Sequence, residues 1–142
     1  MNQRVIVDTG PLVAFLNNRD SHHAWALARF AEIQPPLLTC EAVLSEACFL
    51  LRGWPPGSRS ILELLERRVL QISFSLADQL PHVCRLMKKY EDIPSSLADA
   101  CLVRRAEWYD SSPILTLDAD FRVYRKHKRR TIPLLPAPKL ER

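Results

Sequence analysis

Short continuous apolar runs alternate along this chain with longer stretches whose apolar positions recur every three to four residues. The runs are Val5-Ile6-Val7, Leu37-Leu38-Thr39, Leu70 to Phe74, Pro113 to Leu117 and Ile132 to Leu135. Runs of this length, rich in β-branched and leucine side chains and bounded by turn residues, read as buried strands, the last at a sheet edge. Between them the helical period predicts a short helix over Pro11 to Asn17, with Pro11 as its first residue. A second follows a cap at Asp20 or Ser21, with Trp25, Ala28, Phe30 and Ile33 supplying its apolar positions up to Pro35-Pro36. Thr39 is placed to cap a third, Cys40 to Arg52, which Gly53 and Pro55-Pro56 end. A fourth, Arg59 to Arg68, buries Ile61, Leu62, Leu64 and Leu65. Ser75 then opens a fifth, with Leu76, Leu80, Val83, Met87 and Tyr90 at helical spacing and Pro81 tolerable only near its first turn. Ser95-Ser96 caps a sixth, Leu97 to Tyr109, and Phe121 to His127 reads as a last helix. Strands alternating with helices call for an α/β domain, its sheet parallel and its crossovers right-handed.

At 142 residues the chain is expected to form one domain, residues 1–142, with a basic helix and a Pro-rich tail at 121–142. Apolar and charged residues make up 47% and 25%, so a packed core is expected rather than disorder. No apolar run approaches the roughly 18 residues that span a bilayer. The first residues lack the apolar stretch of a secretory leader, which points to the cytoplasm. Cys40, Cys48, Cys84 and Cys101 lack C-x-x-C spacing and lie in apolar helical surroundings. They read as buried reduced thiols rather than zinc ligands. His22 and His23, adjacent in a helical turn, do not share a face and are assigned to packing or solvent.

The net charge of +4 is uneven. Residues 121–142 hold 8 of the 20 lysines and arginines against one acid, which leaves 12 bases and 15 acids in residues 1–120. An acidic body with a basic periphery suits a metal-assisted reaction on a polyanion. Taken alone, the basic run is equally consistent with a solvated helix end.

Two of the predicted strands end on aspartate, at Asp8 and Asp118, and in a parallel sheet both ends open on one face. Asp99 falls in the first turn of the helix led by Ser96. Glu46 lies about two turns into the helix after the Leu37-Leu38-Thr39 strand. Four carboxylates meeting in one cleft would repel unless a cation joined them, and an all-oxygen set selects Mg²⁺ or Mn²⁺. Each acid also has a structural reading. Asp99 can complete a capping box with Ser96. Asp118 can cap a helix with Asp120 as an exposed companion, and Glu46, in an apolar helix, can have a buried partner instead of a ligand. Asp8 has the weakest such reading, since no nearby base follows it in sequence.

The order Val-Ile-Val-Asp8-Thr-Gly-Pro-Leu, Leu-Leu-Thr-Cys-Glu-Ala-Val-Leu-Ser-Glu46, Ser-Leu-Ala-Asp99-Ala and Leu-Thr-Leu-Asp118-Ala-Asp-Phe resembles the PIN domain, particularly the VapC-type toxin ribonucleases. The resemblance runs from residue 4 to about 125. It implies a three-layer α/β/α sandwich with a central, mainly parallel sheet and an acidic pocket for Mg²⁺ or Mn²⁺. Asp8, Glu46, Asp99 and Asp118 fall on the family's acidic positions, while Thr9 and Thr116 fall where small hydroxyl residues support the pocket. It further implies RNA as substrate, a homodimer and a cognate antitoxin.

On this reading the chain is a metal-dependent endoribonuclease. Asp8, Asp99 and Asp118 hold the metal, and Glu46 completes its shell or orients the attacking water. Arg122, Arg125, Lys126, Arg129 and Arg130 grip backbone phosphates, and Arg104 or Arg105, flanking the Asp99 helix, faces the groove. A phosphatase with Asp8 as nucleophile is disfavoured, because the general acid expected two residues on is replaced by Gly10. A phosphoryl-aspartate receiver does not fit the order of the acids. A PIN-like module that binds RNA or protein without turnover is the non-enzymatic alternative.

Overall fold

The structure is a computed structural model, and it describes residues 4–93, 96–107, 112–118, 121, 125–126, 130–131 and 133–135. Five strands, β1 (Ile6–Val7), β2 (Leu37–Thr39), β3 (Leu70–Ile72), β4 (Ile114–Leu115) and β7 (Leu134–Leu135), form one sheet in the order β3-β2-β1-β4-β7. Every pairing in it is parallel, with Ile6 beside Leu38 on one side and Ile114 on the other. Six helices connect and cover it: α1 (Thr9–Leu16), α2 (His23–Glu32), α3 (Glu41–Leu50), α4 (Gly57–Glu66), α5 (Leu76–Lys89) and α6 (Leu97–Ala106). This is the α/β/α sandwich that the resemblance implied, built on the parallel sheet that the alternation of strands and helices predicted. Among the described residues no helix is long and apolar enough to cross a membrane.

The strands are short because only their central residues are covered from both sides. Ile6, Val7, Leu37, Ile114 and Leu115 are at most 1% exposed. Around them Leu12, Val43, Leu51, Ile61, Leu102 and Phe121 close a single core. Gly57 is part of that closure. A Cβ there would lie 2.6 Å from the Leu51 carbonyl oxygen, so α4 can start this close to the end of α3 only with glycine.

Several sequence expectations shift. Asp8, not a later residue, takes the cap position of α1, which places Pro11 third in the helix. Thr39 belongs to β2, and its hydroxyl donates to the Val7 carbonyl at 3.4 Å, so the cap position of α3 falls to Cys40. Leu62, Leu80 and Met87, expected inward, are exposed, because α4 and α5 bury narrower stripes centred on Ile61 and on Val83 and Leu86. Pro81 lies in the second turn of α5, where it withholds the amide that would bond the Ala77 carbonyl. All four cysteines are free, but Cys84 is exposed and Cys48 half-buried. Phe121 to His127 is not a continuous helix. Residues 125–126 form β5 (Arg125–Lys126), which pairs antiparallel with β6 (Arg130–Thr131). The β-branched Thr131, paired with Arg125, favours strand over helix there.

α4 ends two residues before the expected Arg68, in a left-handed turn at Arg68 itself (φ 61°). The Arg68 amide bonds the Leu65 carbonyl at 3.1 Å and the Val69 amide bonds the Leu64 carbonyl at 2.9 Å. Glycine is the usual occupant of this closing position. Arg68→Gly is therefore expected to raise stability by about 0.5–1 kcal/mol, the relief of the left-handed cost less the added freedom of the unfolded chain. The urea midpoint at constant slope measures it, and a lower midpoint would contradict the assignment.

Candidate active site

The sheet order reverses between β1 and β4. From β1 the chain moves outward to β2 and β3, then returns to the other side as β4. At such a switch point the strand ends cannot both be roofed by their own connections, and a crevice opens. Asp8 follows β1 and Asp118 follows β4, so the two carboxylates come to this crevice by topology. The Asp8 amide bonds the Leu115 carbonyl at 3.0 Å, which locks the two strand ends in step. Asp99 enters from the first turn of α6.

The ligand oxygens of Asp8, Asp99 and Asp118 all lie within 4.8 Å of one another. Asp8 and Asp99 are buried and Asp118 is half-buried. With Thr9, Gly10, Glu46, Leu50, Ser96 and Leu117 they line an open pocket of about 400 Å³, and no lysine or arginine lines it among the described residues. Burial pushes the Asp8 carboxyl from its ordinary 3.8 to about 7. The Thr116 hydroxyl and the Thr9 backbone amide pull it down, and the neighbouring Asp99 and Asp118 charges add to the rise. The chemistry of this set, three clustered carboxylates with one carrying a proton near neutrality, fits a hard divalent cation.

The hydroxyls are placed to hold these acids. Thr116 donates to Asp8 Oδ2 at 2.8 Å and accepts the Asp118 amide at 2.9 Å, so one side chain ties both strand-end aspartates together. Thr9 donates to Glu46 Oε1 at 2.5 Å across the 37 residues that separate them. Asp99 serves both readings proposed for it. Its amide bonds Ser96 Oγ at 3.0 Å and its Oδ2 accepts the Ser96 amide at 3.3 Å, a full capping box, while it also belongs to the acid cluster.

Glu46 reaches the pocket from its place along α3, as its position after the strand suggested, but it is not buried as its apolar run implied. It is exposed, as are Phe49 and Leu50 on the next turn, so α3 turns an apolar but solvent-facing side toward the crevice. Leu50 as a pocket wall was missed by the sequence reading, although it lies one turn after Glu46. Arg104 and Arg105 do not line the pocket. Arg104 donates to Gln79 at 2.8 Å and to Glu107 at 2.9 Å, and Arg105 is buried and donates to Ser73 at 3.0 Å. The histidine assignment agrees with packing, since His23 Nδ1 lies 2.7 Å from the Ala14 carbonyl oxygen. Of the basic run, Arg122 and Arg129 lie outside the described residues, as do Asp120, Tyr109 and Ser95. Arg125, Lys126 and Arg130 are backbone positions on β5 and β6.

The PIN domain family model matches residues 5–127, and the chain belongs to that family. Its structure is similar to the crystal structure of Mycobacterium tuberculosis VapC20, a toxin that cleaves the sarcin-ricin loop. The TM-score is 0.70 at 21% identity, over 84% of this chain and 93% of that one. No curated protein sequence matched.

Proposed function

We propose that this protein is a divalent-metal-dependent endoribonuclease, acting in the cytoplasm as the toxin of a type II toxin–antitoxin pair. The observation that carries the reading is the convergence of Asp8, Asp99 and Asp118 within 4.8 Å at the switch point of a PIN fold. The RNA-cleaving activity of the structurally similar mycobacterial toxin supports RNA as the substrate class.

Asp8, Asp99 and Asp118 would hold Mg²⁺ or Mn²⁺. When bound, the ion supplies Lewis acidity that activates water and offsets charge on the scissile phosphate. The chain's own residues do the positioning. Thr116 fixes the Asp8 carboxylate and biases it toward the ionised form that a cation requires. Thr9 engages one oxygen of Glu46, which leaves the other to orient the attacking water. Basic residues at 122–130 would grip the flanking phosphates. Family relatives suggest a homodimer and an antitoxin, and the exposed Phe49, Leu50 and Leu62 of α3 and α4 offer apolar surface for such contacts.

Purified protein incubated with cellular RNA is expected to cut it with Mn²⁺ or Mg²⁺ and to stop on addition of EDTA. Intact RNA in every arm, with calorimetric metal binding retained, would replace the enzyme by a binding module.

A further inference from the structure

A second concave surface lies away from the acids, along α5 and α6. It encloses about 590 Å³, and α5 lines it with His82, Arg85, Leu86, Lys88 and Lys89, while α6 contributes Arg104 and Glu107. Four permanent cations thus meet one acid, and Glu107 is already joined to Arg104 at 2.9 Å. Arg85, Lys88 and Lys89 follow helical i, i+3, i+4 spacing, so they present one cationic face. Arg104 is held from two sides, by Gln79 and Glu107, so its charge is positioned before any ligand arrives. His82 Nδ1 lies 2.7 Å from Arg85 Nη2, and loss of hydration together with the Arg104 and Arg85 charges pushes this histidine below its ordinary pKa. The floor is the buried Leu86 side chain.

A cationic rim over an apolar floor suits a chain that carries regular anions and flat apolar groups. The groove also stands in a defined relation to the acidic pocket. Helix α6 starts at that pocket with Ser96 and Asp99 and reaches the groove with Arg104, a rise of about 12 Å from Ser96. Lys88 and Lys89 end α5, just before the segment that leads into Ser96. A ligand held at both places must be extended and anionic over several repeats. We propose that the α5–α6 groove is an RNA-contact surface that holds the backbone of the same single strand whose scissile bond lies over Asp8, Asp99 and Asp118. The inference rests on the ribonuclease reading and assigns that reading a strand path.

The test is the triple variant Arg85→Gln/Lys88→Gln/Lys89→Gln, which alters only exposed side chains and leaves the Arg104–Glu107 pair intact. The probes are single-stranded RNAs of about 16 and about 4 nucleotides, the shorter sufficient for the acidic pocket alone. The longer RNA is expected to bind the variant at least about 10-fold more weakly. The slope of log affinity against log salt should become shallower by about 2, for three lost phosphate contacts. Cleavage of the short RNA should be unchanged. The single variants Lys88→Gln and Lys89→Gln, each losing part of the slope, keep the test open should the triple variant fold poorly. Unchanged affinity and slope, in a wild-type protein that does cut RNA, would overturn the groove alone. A wild-type protein that neither binds nor cuts RNA would overturn the groove together with the ribonuclease reading. Lost binding of poly-L-glutamate with RNA affinity intact would assign the groove to an acidic protein partner instead.

Discussion

Asp8→Asn is expected to abolish RNA cleavage and, in EDTA at pH 8, to make the protein more stable than wild type. Outer partners of metal ligands cost roughly 10–100-fold when removed, so loss of the central carboxylate itself should cost more than about 100-fold. The stability effect has the opposite sign because the site is built against its own fold. Burial raises the Asp8 carboxyl to about 7 in the native state, whereas in the unfolded chain it titrates near 3.8. Between those values the native state keeps a proton that the unfolded state has released, so stability falls as pH rises through this window. Above about 7 the cost is complete and amounts to a few kcal/mol. Asparagine keeps an acceptor for Thr116, offers an amide to the neighbouring carboxylates and carries no charge, so the variant escapes the decline. Below about pH 4 the two proteins should converge. Saturating Mg²⁺ stabilises only a chain that binds it and so reverses or narrows the order at pH 8. Thermal unfolding at pH 4 and pH 8, with EDTA and with Mg²⁺, reads all of this. A variant less stable than wild type in EDTA at pH 8 would contradict the buried-charge account.

How much of this site was legible beforehand depended on what kind of information placed each residue. Asp8 and Asp118 were readable because topology alone brings them together. Two parallel strands that each end on a carboxylate must present both at the same edge, and only adjacency of β1 and β4 remained to be supplied. Asp99 was readable as a helix-start acid, but no sequence rule says that a capping carboxylate also faces a cleft. Both roles hold at once. Glu46 was readable from its distance along the helix, but the apolar run around it implied a burial that it does not have. A run such as Ala42 to Leu51 carries apolar residues on every face, so periodicity cannot tell which side is covered. The structure turns Glu46, Phe49 and Leu50 outward and Val43, Leu44, Ala47 and Leu51 inward.

The cationic groove was harder to see for a related reason. The sequence concentrates its bases more densely at 121–130, and Arg85, Lys88 and Lys89 have the local pattern of any solvated helix end. Their significance comes from Arg104 on another helix, 15 residues later than Lys89, which only the packing of α5 on α6 brings alongside. Local patterns also misplaced the end of α4. The closing turn uses Arg68 where the sequence signal would have been glycine, because the Val69 and Arg68 amides find carbonyl partners regardless of the side chain. Sequence therefore marks elements and strand-end chemistry well. It marks poorly whatever depends on which helix faces lie against each other.

Thr116→Val isolates the support of the site from its ligands, and about a 10–100-fold loss of metal affinity and of cleavage is expected from it. Valine keeps the shape of the buried threonine but removes the one hydroxyl that donates to Asp8 Oδ2 and accepts the Asp118 amide. Two polar groups then lose a partner, one of them on the buried Asp8, at a cost of up to about 1–3 kcal/mol each. The pH dependence separates this from simple damage. The Thr116 bond is the largest influence that lowers the Asp8 pKa, so its loss moves the carboxyl above about 7. A cation can bind only the ionised form, so the acidic limb of the activity profile should move to higher pH in the variant. Raising pH or Mg²⁺ concentration should then recover part of the lost rate. A merely loosened fold would lower the rate at every pH without moving the limb. An unshifted limb would mean that Thr116 holds the strand ends together but does not tune the carboxylate between them.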